Sequence, residues 1–393
     1  MPHHSSYIAA MGGSDADDAW AIHTEARKRY RAGETDVIVL SVGDHDFTTD
    51  ERIVETAVSA LRDGKHHYTA SIGFLALREK LAAYHSARIG ETVTAENVAV
   101  IPGAQCGVFT SGLVTLNPGD HVIAFDPMYV TYQGALIARG ASLSQVPLLP
   151  ENSFVPDPAD IRAALRPETK AIVINSPNNP TGAVWPRETM EEIARICIEH
   201  DLWLISDEVY CSMTYEQPHF CPRLIDGMKD RTLSVYSFSK GHAMTGWRLG
   251  WIVADPATIN AVEQVMSSML FGSPPFIQEA AMTALDDAVD TVDRIRDLYR
   301  HRRDRVCDAL SAVPKVKVRK PDAGMFLMLD IRETGMDTTD FAWKLLEEQK
   351  LALLPGEGFG DMLAGHLRLS FGASDETLDE AGRRLSAFIQ KHG

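Results

Sequence analysis

Between residues 98 and 254, short apolar runs alternate with stretches of helical period. That alternation restricts the chain to a mostly parallel sheet covered by helices. The runs at 98–102, 121–125, 171–175, 202–206, 233–237 and 249–254 have the length and composition of buried strands. Residues 103–116 read as a helix following the first of them. In 187–200, Met190, Ile193, Ala194 and Cys197 recur at i, i+3, i+4 and i+7, which is one face of a helix. Helices of that length between apolar strands make βαβ units.

After about residue 290 the texture changes. A long charged helix at 291–312 leads to strand-like runs at 316–319, 325–330 and 366–371, the pattern of a smaller α+β unit. A strand at 37–42 precedes the large unit, and the N-terminal segment is expected to pack with the small one. The expected division is 1–45, 46–290 and 291–393. A chain of 393 residues, 45% hydrophobic, can fill two unequal cores.

The net charge of -16 argues against nucleic acid, whose phosphates need clustered Lys and Arg. No apolar run approaches the ~20 residues of a membrane span. Residues 1–10 lack a basic segment followed by an apolar one, so the expectation is an untargeted, cytoplasmic protein. The five cysteines form no Cys-x-x-Cys pair, and neither a disulfide framework nor a metal site is expected.

In open α/β sheets, ligands sit beyond the carboxyl ends of the strands. Polar residues collect there at 103–105, 178–182, 207–210 and 237–240. Lys240 ends the string Ser237-Phe238-Ser239-Lys240. A lysine desolvated in a crevice has a lowered pKa and becomes nucleophilic toward an aldehyde. A lone lysine is more often a solvated surface residue. Arg248, in Met244-Thr245-Gly246-Trp247-Arg248, has a planar fork suited to phosphate. Asp207 at a strand end can pair with a cationic ring nitrogen, or can simply cap a helix. Gly103-Ala104-Gln105 opens a helix, where free backbone N–H groups receive phosphate. Asn178-Asn179-Pro180-Thr181-Gly182 taken alone is a turn.

Together these strings resemble the class I and II aminotransferases, which use pyridoxal 5'-phosphate on fold type I. The likeness runs from Ser41 to Phe371. It implies a large domain with a mostly parallel seven-stranded sheet between helices, plus a small α+β C-terminal domain. It implies that Lys240 holds the cofactor as a Schiff base. Asp207 would pair with the ring nitrogen, Tyr210 and Asn179 with the ring 3'-oxygen, and Tyr129 would stack on the ring. Gly103, Ala104, Gln105, Ser237, Ser239 and Arg248 would surround the phosphate. Tyr68 would reach the phosphate of the other subunit, which implies a homodimer with shared active sites. Arg368 would clamp the substrate α-carboxylate, with Asn179 and the backbone of Gly43 beside it.

Four strings resemble arginine:pyruvate transaminases in particular, among them Gly103-Ala104-Gln105-Cys106 and Ala364-Gly365-His366-Leu367-Arg368. One position departs from the family pattern: Gly43-Asp44-His45-Asp46-Phe47 carries His45 where proline is usual. An imidazole there is expected to bind a substrate side chain or move a proton, against the alternative of a neutral loop residue. Three readings stay open from the sequence. The first is transamination between an L-amino acid, arginine or another basic or polar one, and a 2-oxo acid such as pyruvate or 2-oxoglutarate. The second is oxidation or β-elimination on the same cofactor. The third is a non-catalytic binding protein.

Overall fold

The computed structural model describes residue 8, residues 14–286 and residues 290–392. One sheet has the strand order Val98–Ile101, Gly250–Val253, Thr232–Ser237, Trp203–Asp207, Thr169–Asn175, His121–Asp126, Ser142–Pro147. Its neighbours run parallel, except that Gly250–Val253 is antiparallel to both of its partners. Strands His121–Asp126 and Thr232–Ser237 are buried at every residue, as strands covered on both faces must be. Helix Ala104–Thr115 lies close against this sheet. A Cβ on Gly107 would come within 2.4 Å of Ile101 and 2.6 Å of Val235, so only glycine allows that approach.

The expected strands of the large sheet are all present, with ends shifted by a residue or two. One member, Ser142–Pro147, was not anticipated. Its sequence Ser-Leu-Ser-Gln-Val-Pro is polar because it is an edge strand, with one of its six residues fully buried.

Beyond the helix Thr291–Ser311, a four-stranded antiparallel sheet has the order Leu354–Pro355, His366–Ser370, Phe326–Asp330, Lys317–Val318. The strand expected at 37–42 is only Ile38–Val39, because its parallel partner Leu351–Ala352 is equally short. Helix Ser14–Arg31 precedes it. Ile22, Ala26, Ile38 and Leu40 share one apolar cluster with Phe341, Leu345, Leu369 and Phe388. The same cluster takes in Tyr210, Met213 and Ala243, so packing continues from these elements to the strand ends of the large sheet. Among the described residues, no helix is long and apolar enough to cross a membrane.

Candidate active site

A crevice of about 430 Å³ opens at the carboxyl ends of the parallel strands. It gathers residues from distant parts of the chain: Gly43, Gln105, Asn179, Asp207, Lys240 and Arg368. The sheet explains the convergence. Asn175 pairs with Asp207 in register across adjacent strands, and Ser237 ends the strand on the other side.

Lys240 is half-buried, and its Nζ donates to the carbonyl oxygen of Gly43 at 2.5 Å. Burial lowers its pKa to about 8; Asp44 opposes that shift, and Arg368 and Arg248 add to it. The amine is therefore neutral in a useful fraction of molecules near neutral pH. Gly43 has to be glycine, since a Cβ there would lie 2.3 Å from the ring of Phe326.

Asp207 accepts from the Val209 N–H at 3.1 Å and from the phenol of Tyr132. Burial still raises its pKa to about 6, against those two hydrogen bonds. The carboxyl is thus a poised anion short of a positive partner. Tyr132 is fully enclosed, and burial together with Asp207 keeps its phenol protonated. Tyr129 packs edge-on to Tyr132, with ring centroids 5.9 Å apart.

At one end of the crevice lie Ala104 and Gln105, the first residues of a helix whose opening N–H groups have no helical acceptor. Gly103, at φ 84°, starts that turn, and a Cβ on it would lie 2.5 Å from the Arg248 guanidinium. Ser237 Oγ donates to Ser239 Oγ at 2.9 Å, and both line the same end. Arg248 donates to the Thr245 carbonyl at 2.8 Å and has no ion pair among the described residues.

At the other end Arg368 is 1% exposed. It donates to Asn179 Oδ1 at 3.0 Å and to the Ser41 carbonyl at 2.7 Å. Its Nε has no partner, and Phe326 and Phe359 lie 4.0 and 4.3 Å from its guanidinium carbon. Burial pulls its pKa down to about 10. A buried guanidinium without a carboxylate is a costly arrangement, and it is relieved by an anionic ligand.

Neither Tyr68, expected at the other subunit's phosphate, nor His45 lines this chain's crevice. Tyr68 is 86% exposed and packs edge-on to Phe271, outside the crevice. His45 does not line the crevice; its ring contacts the backbone of Ser239 and the phenol of Tyr299. Tyr132, Thr131 and Trp20 do line it and had been given no role. Thr131 donates to Gln105 Oε1 at 2.6 Å. No spacing rule ties Tyr132 to Asp207, 75 positions away.

The donor set fits pyridoxal 5'-phosphate at three points. Lys240 is a nucleophilic amine, Asp207 is an anion awaiting a cationic ring nitrogen, and the helix start with Arg248 is a cradle that a Cβ at residue 103 would fill.

The sequence pattern of the family described as "Aminotransferase class I and II" matches residues 35–385. The chain is 43% identical to arginine–pyruvate transaminase AruH of Pseudomonas aeruginosa, over 98% of this chain and 97% of that protein. It is 37% identical to the aspartate/prephenate aminotransferase of Thermus thermophilus, over 94% of this chain and 95% of the other. Among solved structures, it resembles the aspartate aminotransferase from Thermus thermophilus with maleate. The TM-score is 0.92 at 36% identity, covering 99% of this chain and 100% of that one.

Proposed function

The chain belongs to the class I and II aminotransferase family and is an aminotransferase; from that premise we propose that Lys240 carries pyridoxal 5'-phosphate and that the amino donor is a cationic L-amino acid, arginine foremost, with a 2-oxo acid such as pyruvate or 2-oxoglutarate as acceptor. The observation that carries the donor class is Asp44. It lines the crevice, accepts at Oδ1 from its neighbour's N–H and from Thr245, and has no ion pair among the described residues. Asp46, by contrast, is already held by Arg302 through two hydrogen bonds of 2.7 and 2.8 Å. Asp44 is therefore the carboxylate left to receive a positive side chain. The likeness to an arginine–pyruvate transaminase supports the same reading.

When bound, the cofactor supplies an aldehyde that takes up the amino group and a conjugated ring that accepts the electron pair left at the donor's α-carbon. The chain's own residues do the rest. Arg368, steadied by Asn179 and Ser41, binds and orients the α-carboxylate. Lys240 Nζ, its pKa lowered by burial, takes the proton from the α-carbon in its neutral form. Asp207, held by Tyr132 and the Val209 N–H, keeps a negative charge where a ring nitrogen needs one. The first-turn N–H groups at Ala104 and Gln105, with Ser237, Ser239 and Arg248, hold the phosphate. A second copy of the chain, lending Tyr68, completes that phosphate site.

The test is a donor panel of arginine, lysine, glutamine and alanine with pyruvate. Arginine should give the highest kcat/KM. Asp44→Asn should lower kcat/KM for arginine by about 10- to 100-fold, the worth of a hydrogen bond to a charged group, and change alanine far less. Equal losses for all four donors would remove Asp44 as the side-chain reader.

A further inference from the structure

Just past the strand His121–Asp126, the chain serves two walls of the site at once. Tyr129 lines the crevice, and the Met128 N–H donates to the carbonyl oxygen of Phe359 at 2.9 Å. Phe359 lies in the loop that leads into the strand of Arg368, with its ring 4.3 Å from the guanidinium carbon.

Asp126 fastens the same loop. It is 8% exposed, does not line the crevice, and has no ion pair among the described residues. One carboxylate oxygen accepts from the Asp361 N–H at 3.0 Å and the other from the Met362 N–H at 3.3 Å. Burial raises its pKa, against those two N–H groups. A buried carboxylate is costly unless its oxygens are satisfied, and an ionised acceptor makes each such bond about twice as strong as a neutral one. The seat is also close-fitting. Gly360, at φ 146°, separates Phe359 from the two donors, and a Cβ on it would collide with the Asp126 carboxylate. Phe359 and Leu363 share an apolar cluster with Phe125 and Ile174 of the large sheet, so the loop is held by packing as well.

What this loop carries bears on the clamp. The rings of Phe359 and Phe326 lie over the Arg368 guanidinium. A ring stacked on a planar guanidinium fixes the plane in which its fork meets a carboxylate, and keeps water from that face.

We propose that Asp126 is a positioning residue for the α-carboxylate site: by holding the N–H groups of Asp361 and Met362 it seats Phe359 over Arg368 and sets the plane of the clamp. This inference rests on Arg368 receiving the α-carboxylate. The competing role is a cap for the short helical turn Asp361–Leu363, which would matter to stability alone.

The test measures binding without turnover. The probes are 5-guanidinopentanoate and hexanoate, carboxylates with and without a cationic end and with no amino or oxo group to react. Each is titrated calorimetrically into cofactor-loaded protein. Asp126→Ala should weaken both by about ten-fold, the scale of one or two lost hydrogen bonds. Asp126→Asn keeps an oxygen for the N–H groups and should recover most of that loss. Gly360→Ala sets a Cβ against the carboxylate and forces the same loop off its seat. It should cost about as much as Asp126→Ala, and the double variant little more than either. Should Asp126→Ala fail to fold, Gly360→Ala carries the same test. Lowered melting temperatures with unchanged affinity would mean a cap only, and overturn the proposal. Arg368→Ala is run beside them. If it loses the probes while the Asp126 and Gly360 variants keep them, only the positioning role fails. If the parent binds neither probe, or Arg368→Ala binds them as the parent does, the clamp reading fails and this proposal with it.

Discussion

The phenol oxygen of Tyr299 stands 2.9 Å from Nδ1 of His45, while Nε2 of the same ring stands 3.3 Å from the carbonyl oxygen of Ser239. A carbonyl only accepts, so Nε2 carries the hydrogen and Nδ1 accepts from the phenol. Burial, and then the charge of Lys240, lowers the His45 pKa to about 4, so the ring is neutral at pH 7. One neutral imidazole thus ties the helix Thr291–Ser311 to the backbone just before Lys240. Proline at this position would supply neither bond.

This geometry favours a positioning role for His45 over contact with a substrate side chain. His45→Phe and Tyr299→Phe should each lower stability by about 1 kcal/mol, the usual net worth of a hydrogen bond. The double variant should lose less than the sum, because both substitutions break the same bond. Donor preference should stay as in the parent. Urea unfolding of the four proteins, with the donor panel, decides. Additive losses together with a shifted donor order would return His45 to substrate recognition.

Lys240→Ala should abolish turnover while the folded protein still takes up the cofactor without a covalent bond. The same lysine sets a pH signature. The free amine is the nucleophile, and its pKa is lowered to about 8 by burial. Covalent capture of pyridoxal 5'-phosphate by cofactor-free protein should quicken about ten-fold per pH unit below 8 and level off above it, in keeping with the deprotonated fraction. Stopped-flow absorbance follows this directly. A rate still climbing to pH 10 would mean an ordinary, solvated lysine.

The strand-end clustering of Ala104, Asn179, Asp207 and Lys240 could be read from sequence because each follows an apolar run, and a parallel sheet sends all such ends to one edge. The hydrogen bond from Tyr132 to Asp207 could not be read that way. It joins residues 75 positions apart, and no periodicity encodes it. Trp20 reaches the crevice from the helix Ser14–Arg31, whose sequence is too polar to announce a core-facing stripe. The edge strand Ser142–Pro147 escaped for the same physical reason, since an exposed strand needs no apolar run. His45 was legible as a departure from a pattern, but its direction was not. The placement of Tyr299 decides that, 254 positions away.

Tyr68 and Phe271 leave 86% and 57% of their surfaces exposed, large for aromatic residues that pack edge to edge. A homodimer that covers them, with Tyr68 reaching the neighbour's phosphate, accounts for both. Sedimentation should give a dimer at micromolar concentration. Tyr68→Phe should weaken cofactor retention several-fold while leaving the dimer intact. A monomer with full activity on dilution would exclude shared sites.

Arg368 gives the broadest test of the substrate orientation. Its guanidinium is enclosed between Phe326 and Phe359, donates to Asn179 and Ser41, and keeps Nε without a partner. An α-carboxylate would supply the missing charge, and every amino-acid donor has one. Arg368→Ala should therefore lower kcat/KM by roughly 100-fold or more for arginine, glutamine and alanine alike, in line with about 3 kcal/mol for a desolvated charged pair. Arg368→Lys should rescue little, because an ammonium cannot present two parallel N–H donors. The parent fold should persist in both, because Arg368→Ala leaves no buried charge behind, although it costs the hydrogen bonds to Asn179 and Ser41, and Arg368→Lys keeps the parent's cation. The donor series separates this role from side-chain recognition. Were arginine to collapse while alanine was spared, Arg368 would be contacting the side chain, and the proposed orientation of the substrate would be reversed.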